Sequence, residues 1–288
     1  MTEAPPLDPI GIWGPELRFG DPAEANEIAA ELEELGVGAV WIPDVGGPVL
    51  ESAERLVRAT RRLTVATGIL NVWMHDATEV ATGQERIERE HPRRFLLGLG
   101  ISHAPIVDAE EPGRYRRPLA TMRAYLDALD GVGTGPRVLA ALGPKMLELA
   151  RERTLGAHPY LVPVEHTALA RETLGPGRIL APELTVVLES DRGHAHELAR
   201  ADIQTYLRLP NYTNAWLSLG YDEGDLADGG SDRLLDALYA WGTLERIGER
   251  LREHREAGAD HVCFRVVRST SEGFPRDEWR ALAAAFIV

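Results

Sequence analysis

Short apolar runs alternate along the chain with stretches whose apolar residues recur at helical spacing. Eight runs read as strands: Ile10–Gly14, Val37–Pro43, Leu63–Leu70, Phe95–Gly100, Arg137–Ala141, Ala157–Val162, Leu184–Leu188 and His261–Val267. Each is close to continuously apolar, the pattern of a parallel strand buried on both faces. Helical spacing fills the gaps, as in Pro22–Leu35, where Asp21 is placed to cap, Pro22 takes the first helical position and Gly36 follows the end. Eight such units predict a (β/α)8 TIM barrel, with a doubly wound open sheet as the alternative. No linker or composition shift divides residues 1–288, so one domain is expected, with an insertion before the last strand. That insertion centres on 210–231, where Asn211 and four glycines leave no clear period. The stretch Asp232–Trp241 after it reads as a helix.

Composition narrows the classes. Hydrophobic residues make up 44% of the 288, which excludes a disordered or fibrous architecture. The formal net charge of −14 argues against a nucleic-acid partner, because such a surface repels phosphate. Cys263, the one cysteine, excludes a disulfide framework and sits in a strand-like run as a small buried hydrophobe. No run approaches the roughly 20 apolar residues of a membrane span, and the first residues lack the basic and apolar regions of a leader. A cytoplasmic protein with no membrane partner is expected.

In a barrel the chemistry lies where strands exit toward the loops. Those windows hold no phosphate-binding Gly-x-x-x-x-Gly-Lys, no His-Glu-x-x-His and no Gly-x-Ser-x-Gly. His194 and His196 stand at a helix start, where a solvated or capping role is expected and no metal. Gly143-Pro144 opens a helix, and the free N–H groups there favour an anion. Pro144 lacks a donor, so Gly143, Lys145 and Met146 would supply the contacts. Lys145 is the only lysine in the chain. Trp13 and Trp73 follow strands and can line a pocket, whereas Trp41 lies within a strand and reads as core. Tyr212, Trp216 and Tyr221 in the insertion could form a lid, a substrate wall or a dimer contact.

Three windows carry a resemblance. They are Val65-Ala66-Thr67-Gly68-Ile69-Leu70-Asn71-Val72-Trp73, then Arg94 to Pro105 with Gly98, Gly100, Ser102 and His103, then Val138 to Met146 with Ala141, Leu142, Gly143 and Lys145. With them the chain resembles the luciferase-like family of flavin- and deazaflavin-dependent oxidoreductases, and within it the coenzyme F420-dependent branch. The resemblance implies a TIM barrel in a homodimer. It implies F420 at the strand exits, with FMN as the alternative, and a hydride transfer to or from a small organic substrate. It implies a cis peptide at Gly68–Ile69, against the plainer reading of Gly68 as a strand glycine at a bulge. Cofactor contacts are expected from Gly68, Ile69, Asn71, Trp73, Gly100, Ser102, Ala141, Leu142, Gly143 and Lys145, and catalytic roles from His103 and Asp44. The histidine that some F420 dehydrogenases carry beside this aspartate is Val45 here. Two other readings stay open: an FMN-dependent monooxygenase on the same barrel, and a degenerate barrel without turnover.

Overall fold

The computed structural model describes residues 3–133, 135–270 and 273–287. Its strands are β1 (Ile10–Trp13), β2 (Ala39–Ile42), β3 (Thr64–Thr67), β4 (Leu70–Asn71), β5 (Phe95–Gly100), β6 (Arg137–Leu139), β7 (Gly156–Ala157), β8 (Ile179–Leu180), β9 (Glu183–Val187), β10 (Tyr239–Trp241) and β11 (Val262–Val266). Every pairing is parallel. From β1 the sheet runs through β2, β3, β5, β6 and β7 to β8 on one side, and through β11 to β9 on the other. Backbone bonds from Ala181 N–H to Ala157 C=O and from Glu183 N–H to Pro159 C=O join β8 and β9 into one strand that closes the ring. The predicted barrel is the observed one, and the open sheet is not.

All eight predicted strands occur, with changes: the third is split into β3 and β4, and the seventh begins earlier, as β8. The sixth is only two residues long. Tyr239–Trp241, read as a helix end, is an extra strand paired with β9. The insertion is also more regular than its glycines suggest. It contains the helices Pro210–Ser218 and Glu223–Leu226, and with the helix Asp232–Leu238 that follows it joins a hydrophobic cluster shared with Val187 and the helix Arg192–Ile203, in which Tyr212, Trp216, Leu234 and Leu235 are buried. Helix Pro22–Glu34 begins as predicted, the Asp21 carboxylate accepting from the Ala23 and Glu24 N–H groups at 3.0 Å.

The barrel interior is small, so its large groups must stack. Trp41 is fully buried, lies face to face with His158 at 4.1 Å, and donates its indole N–H to His261 Nε2 at 3.1 Å. Gly11 is required beside it, because a Cβ there would sit 2.5 Å from the His261 ring. Cys263 is buried in the same layer, as its sequence context indicates. His158, His254 and His261 are sealed in, and burial pulls their pKa values down to about 4, 3 and 4. They fold neutral.

The sign of their effect follows. The unfolded chain takes up protons on these rings below pH ~6.5, the folded chain only near pH 4, so acid favours unfolding. Stability is complete above pH 6.5 and falls as pH drops toward 4, by on the order of 1 kcal/mol per pH unit for each ring. Urea midpoints at pH 7.0 and 5.0 should differ clearly; equal midpoints would show that these rings are hydrated.

Candidate active site

Parallel strands put every strand exit on one rim, and most of the predicted residues gather there. Asp44, just past β2, has a side chain with no solvent exposure. Its Oδ1 accepts from Arg18 Nη1 and from the Gly46 N–H, each at 3.0 Å. Its Oδ2 accepts from the Asn71 N–H at 3.0 Å and from His75 Nε2 at 2.7 Å. Burial pushes this carboxyl up, but the His75 hydrogen bond and the two backbone donors outweigh it and hold it below the usual aspartate range. Asp44 is an ionised acceptor with both oxygens doubly engaged. It has no proton to give and no open side facing the rim. The predicted catalytic role does not fit this geometry; a positioning role does.

The Gly68–Ile69 peptide is cis. Trp13 donates its indole N–H to Gly68 C=O at 2.8 Å, and a Cβ on Gly68 would fall within 3.0 Å of both Trp13 and His158. The two glycines of β5 serve this segment. A Cβ on Gly98 would meet the Thr67 carbonyl at 2.0 Å, and one on Gly100 would meet the Ile69 side chain at 2.2 Å. Gly100 therefore makes room for Ile69.

Asn71 is buried and turns its side-chain oxygen to the Trp73 N–H at 3.1 Å. The Trp73 indole N–H in turn bonds Ile101 C=O at 2.7 Å, fixing the exit of β5. Ser102 follows in the left-handed region at φ 56°, unusual for a residue with a side chain. Its carbonyl accepts from Tyr115 Oη at 3.4 Å and from Asn211 Nδ2 at 3.2 Å. His103 then caps the helix Ala104–Glu110 with its backbone. Its ring lies 5.2 Å from that of Tyr212, and its buried Nδ1 has no hydrogen-bond partner. Burial lowers its pKa to about 4, so the ring is neutral at pH 7, not the poised acid–base group its ordinary value suggests.

The insertion forms a roof over part of the rim. Tyr160, Tyr206 and Tyr212 pack in series with ring centroids 5.7 and 5.1 Å apart, and Trp13 meets Tyr160 at 5.1 Å. Beneath them Arg265 donates to Asp202 at 2.9 Å and to Glu183 at 3.4 Å, while Tyr239 Oη donates to Asp202 at 2.8 Å. Tyr212 and Trp216 are thus wall residues buried against their own barrel.

The β6 exit stands apart. Ala141 is buried, Leu142 half-buried, and Gly143 and Lys145 are exposed at the start of the helix Pro144–Arg153. The Met146 N–H is bonded to Gly143 C=O at 3.1 Å, so it is not free for an anion as expected. Among the described residues no cluster of three or more metal-ligating side chains occurs. His194 pairs with Glu189, and His196 lies between Asp232 and Asp236.

Arg18, His75 and Tyr115 were not singled out by sequence reasoning, and Asn211 was read only as part of the irregular insertion. Their partners are 26, 31, 13 and 109 residues away. The one available signal was that His75 follows a strand exit two residues after Trp73.

The fold and rim are those of a parallel barrel, and comparison with known proteins shows what it is similar to. Residues 7–138 match the family model described as luciferase-like monooxygenase, a span that contains two of the three windows above. Beyond that span the likeness is one of fold. A Mycobacterium tuberculosis protein named as a coenzyme F420-dependent oxidoreductase is 25% identical over 159 residues, 54% of this chain and 45% of the relative's own length. An F420-dependent secondary alcohol dehydrogenase, solved with an F420–acetone adduct, superposes with a TM-score of 0.73 at 15% identity over 97% of this chain and 99% of its own. The F420-dependent tetrahydromethanopterin reductase of Methanopyrus kandleri gives 0.70 at 16% over 98% of each chain. The FMN-bound oxygenating constituent of 3,6-diketocamphane monooxygenase from Pseudomonas putida gives 0.71 at 12% over 96% of each.

The Asp44 hub generates a direct test. Asp44→Asn leaves the Arg18 guanidinium, whose side chain is 3% exposed, without its counter-charge. Removing one partner of a buried pair costs roughly 3–5 kcal/mol. Urea denaturation should register a loss of that size; a loss under about 1 kcal/mol would mean that Arg18 finds water.

Proposed function

We propose that the protein is an F420-dependent oxidoreductase that transfers a hydride between the deazaflavin and a small organic substrate. The observation that carries the reading is His103, a neutral imidazole with a buried, unpartnered nitrogen on the strand-exit rim of a luciferase-like barrel. The relative and two of the structures named above are F420-dependent by name, which supports F420 over FMN. The second reading, an FMN-dependent monooxygenase, draws on the family description and the FMN-bound neighbour.

The residues suit a flat, anionic cofactor. A Cβ on Gly143 would meet nothing within 4 Å, which leaves that helix start open, and the orphaned His103 nitrogen is left over for the substrate. In this reading Trp13, Gly68, Ile69, Asn71, Trp73, Gly100 and Ser102 shape the ring site. Ala141, Leu142, Gly143 and Lys145 meet the phosphate. When bound, the deazaflavin supplies the hydride chemistry.

His103 works as a neutral ring, with one nitrogen to donate and one to accept. It holds a substrate hydroxyl or carbonyl against the aromatic wall and passes the proton that must accompany hydride transfer. Tyr212 and the roof keep bulk water from the ring. Asp44 acts at one remove: it aligns Asn71 and His75, and through Asn71 the segment that carries Trp73. The homodimer belongs to the same proposal and is checked by light scattering at micromolar concentration.

Six tryptophans make cofactor binding visible. Micromolar F420 should quench their fluorescence and FMN should not; the reverse establishes the monooxygenase reading, and silence from both establishes a degenerate barrel. Once a substrate is known, His103→Ala should lower turnover about 10²–10⁴-fold with cofactor affinity nearly unchanged. With His103 neutral down to about pH 4, the wild-type rate should show no histidine limb between pH 6 and 8. Full turnover with lost cofactor affinity in the variant would reassign His103 to cofactor positioning.

A further inference from the structure

The segment Arg114-Tyr115-Arg116-Arg117 is fastened to the rim and presents cations there. Tyr115 fixes it twice: its N–H bonds the Asp108 carboxylate at 2.8 Å, and its hydroxyl reaches Ser102 C=O. Arg114 donates to Trp73 C=O at 2.6 Å, lies 5.9 Å from the Trp73 ring, and pairs with Glu111 at 3.4 Å. Arg117 then turns the backbone at φ 49° into the helix Pro118–Asp130. Asp108 and Glu111 are thereby engaged by Tyr115 and Arg114. Arg116 and Arg117 are exposed, and neither side chain has an ion pair or hydrogen bond among the described residues. The helix Pro118–Asp130 packs beside Pro144–Arg153, whose first turn carries Lys145, also exposed and without an ion pair among the described residues. In an α/β barrel these helices begin at the strand-exit end, so the three cations share one stretch of rim.

A chain of formal charge −14 repels anions over most of its surface. Here Arg116, Arg117 and Lys145 are three exposed cations without ion pairs among the described residues, against two exposed carboxylates without one on the same helices, Glu110 and Glu148. A single phosphate needs no more than one helix start and Lys145. Two further arginines, displaced along the rim, suit a flexible ligand with several negative charges in series.

We propose that Arg116 and Arg117, continuing from Lys145, bind an oligoanionic chain of carboxylates that trails out of the ring site. This rests on the F420 reading, in which the chain is the cofactor's phosphodiester and oligoglutamate tail; an anionic substrate would carry the same chemistry. Exposed ion pairs are individually weak and screened over about 10 Å at 0.1 M salt, so the site adds affinity in modest steps.

The test compares F420 bearing its oligoglutamate tail with the tail-less deazaflavin riboside, by fluorescence titration at 50 and 200 mM NaCl. Wild type should bind the tailed form tighter, with the advantage shrinking at the higher salt. Arg116→Gln/Arg117→Gln should lose roughly five- to tenfold in affinity for the tailed form and leave the riboside unchanged. Its melting temperature should match wild type, since neither side chain is packed. Free tetraglutamate should compete with tailed F420 and not with the riboside. A tail advantage undiminished in the variant, or equal binding of both forms by wild type, overturns the tail site and leaves the cofactor reading standing. Binding of FMN with none of either deazaflavin overturns both.

Discussion

The carboxylate of Asp44 is the contact on which the rim depends. One buried anion receives a guanidinium from the helix after β1, an N–H from its own turn, an N–H from β4 and a ring nitrogen from the loop beyond β4. Four segments that share no ladder bond at this level are drawn to one point. Such a charge is tolerated away from water only because every lone-pair direction is filled. The Gly68–Ile69 segment, Asn71 and Trp73 inherit their places from it, and Trp73 passes that order on to β5 through Ile101.

The other half of the rim is organised by a different charge cluster. Arg265 stands between Asp202 and Glu183 and ties β11, β9 and the helix Arg192–Ile203 together beneath the tyrosine series. Its two carboxylates keep it from serving as a free cation for a ligand. Here the aromatic wall is supported from below by ion pairs, whereas on the Asp44 side the ion pairs themselves edge the rim.

Much of the fold was legible because its signal is local. Apolar runs and capping residues such as Asp21 report on their own neighbourhood, and eight runs with helices between them have few ways to pack. Gly68 and Ile69 were placed by likeness to a family; the glycine alone would have read as a bulge. The short strand β10 was hidden because Tyr239-Ala240-Trp241 continues an apolar helical stretch, and only its pairing with β9 makes it a strand. The links of His75 to Asp44, and of Asn211 and Tyr115 to Ser102, were out of reach for another reason. Each joins positions that only the closed barrel brings together. The lowered pKa of His103 was out of reach as well, because the burial that sets it involves Tyr212, more than a hundred residues along the chain.

The strand β10 has a consequence for movement. A loop that merely lay across the barrel could swing aside, but this insertion is stitched into the sheet by Tyr239–Trp241 along β9 and riveted by Tyr239 to Asp202. The tyrosine side is therefore a fixed wall. The turns after β2 and β4 carry no such strand, and there Val45 is 72% and Met74 42% exposed, so the rim is held fast at one place and bare at another.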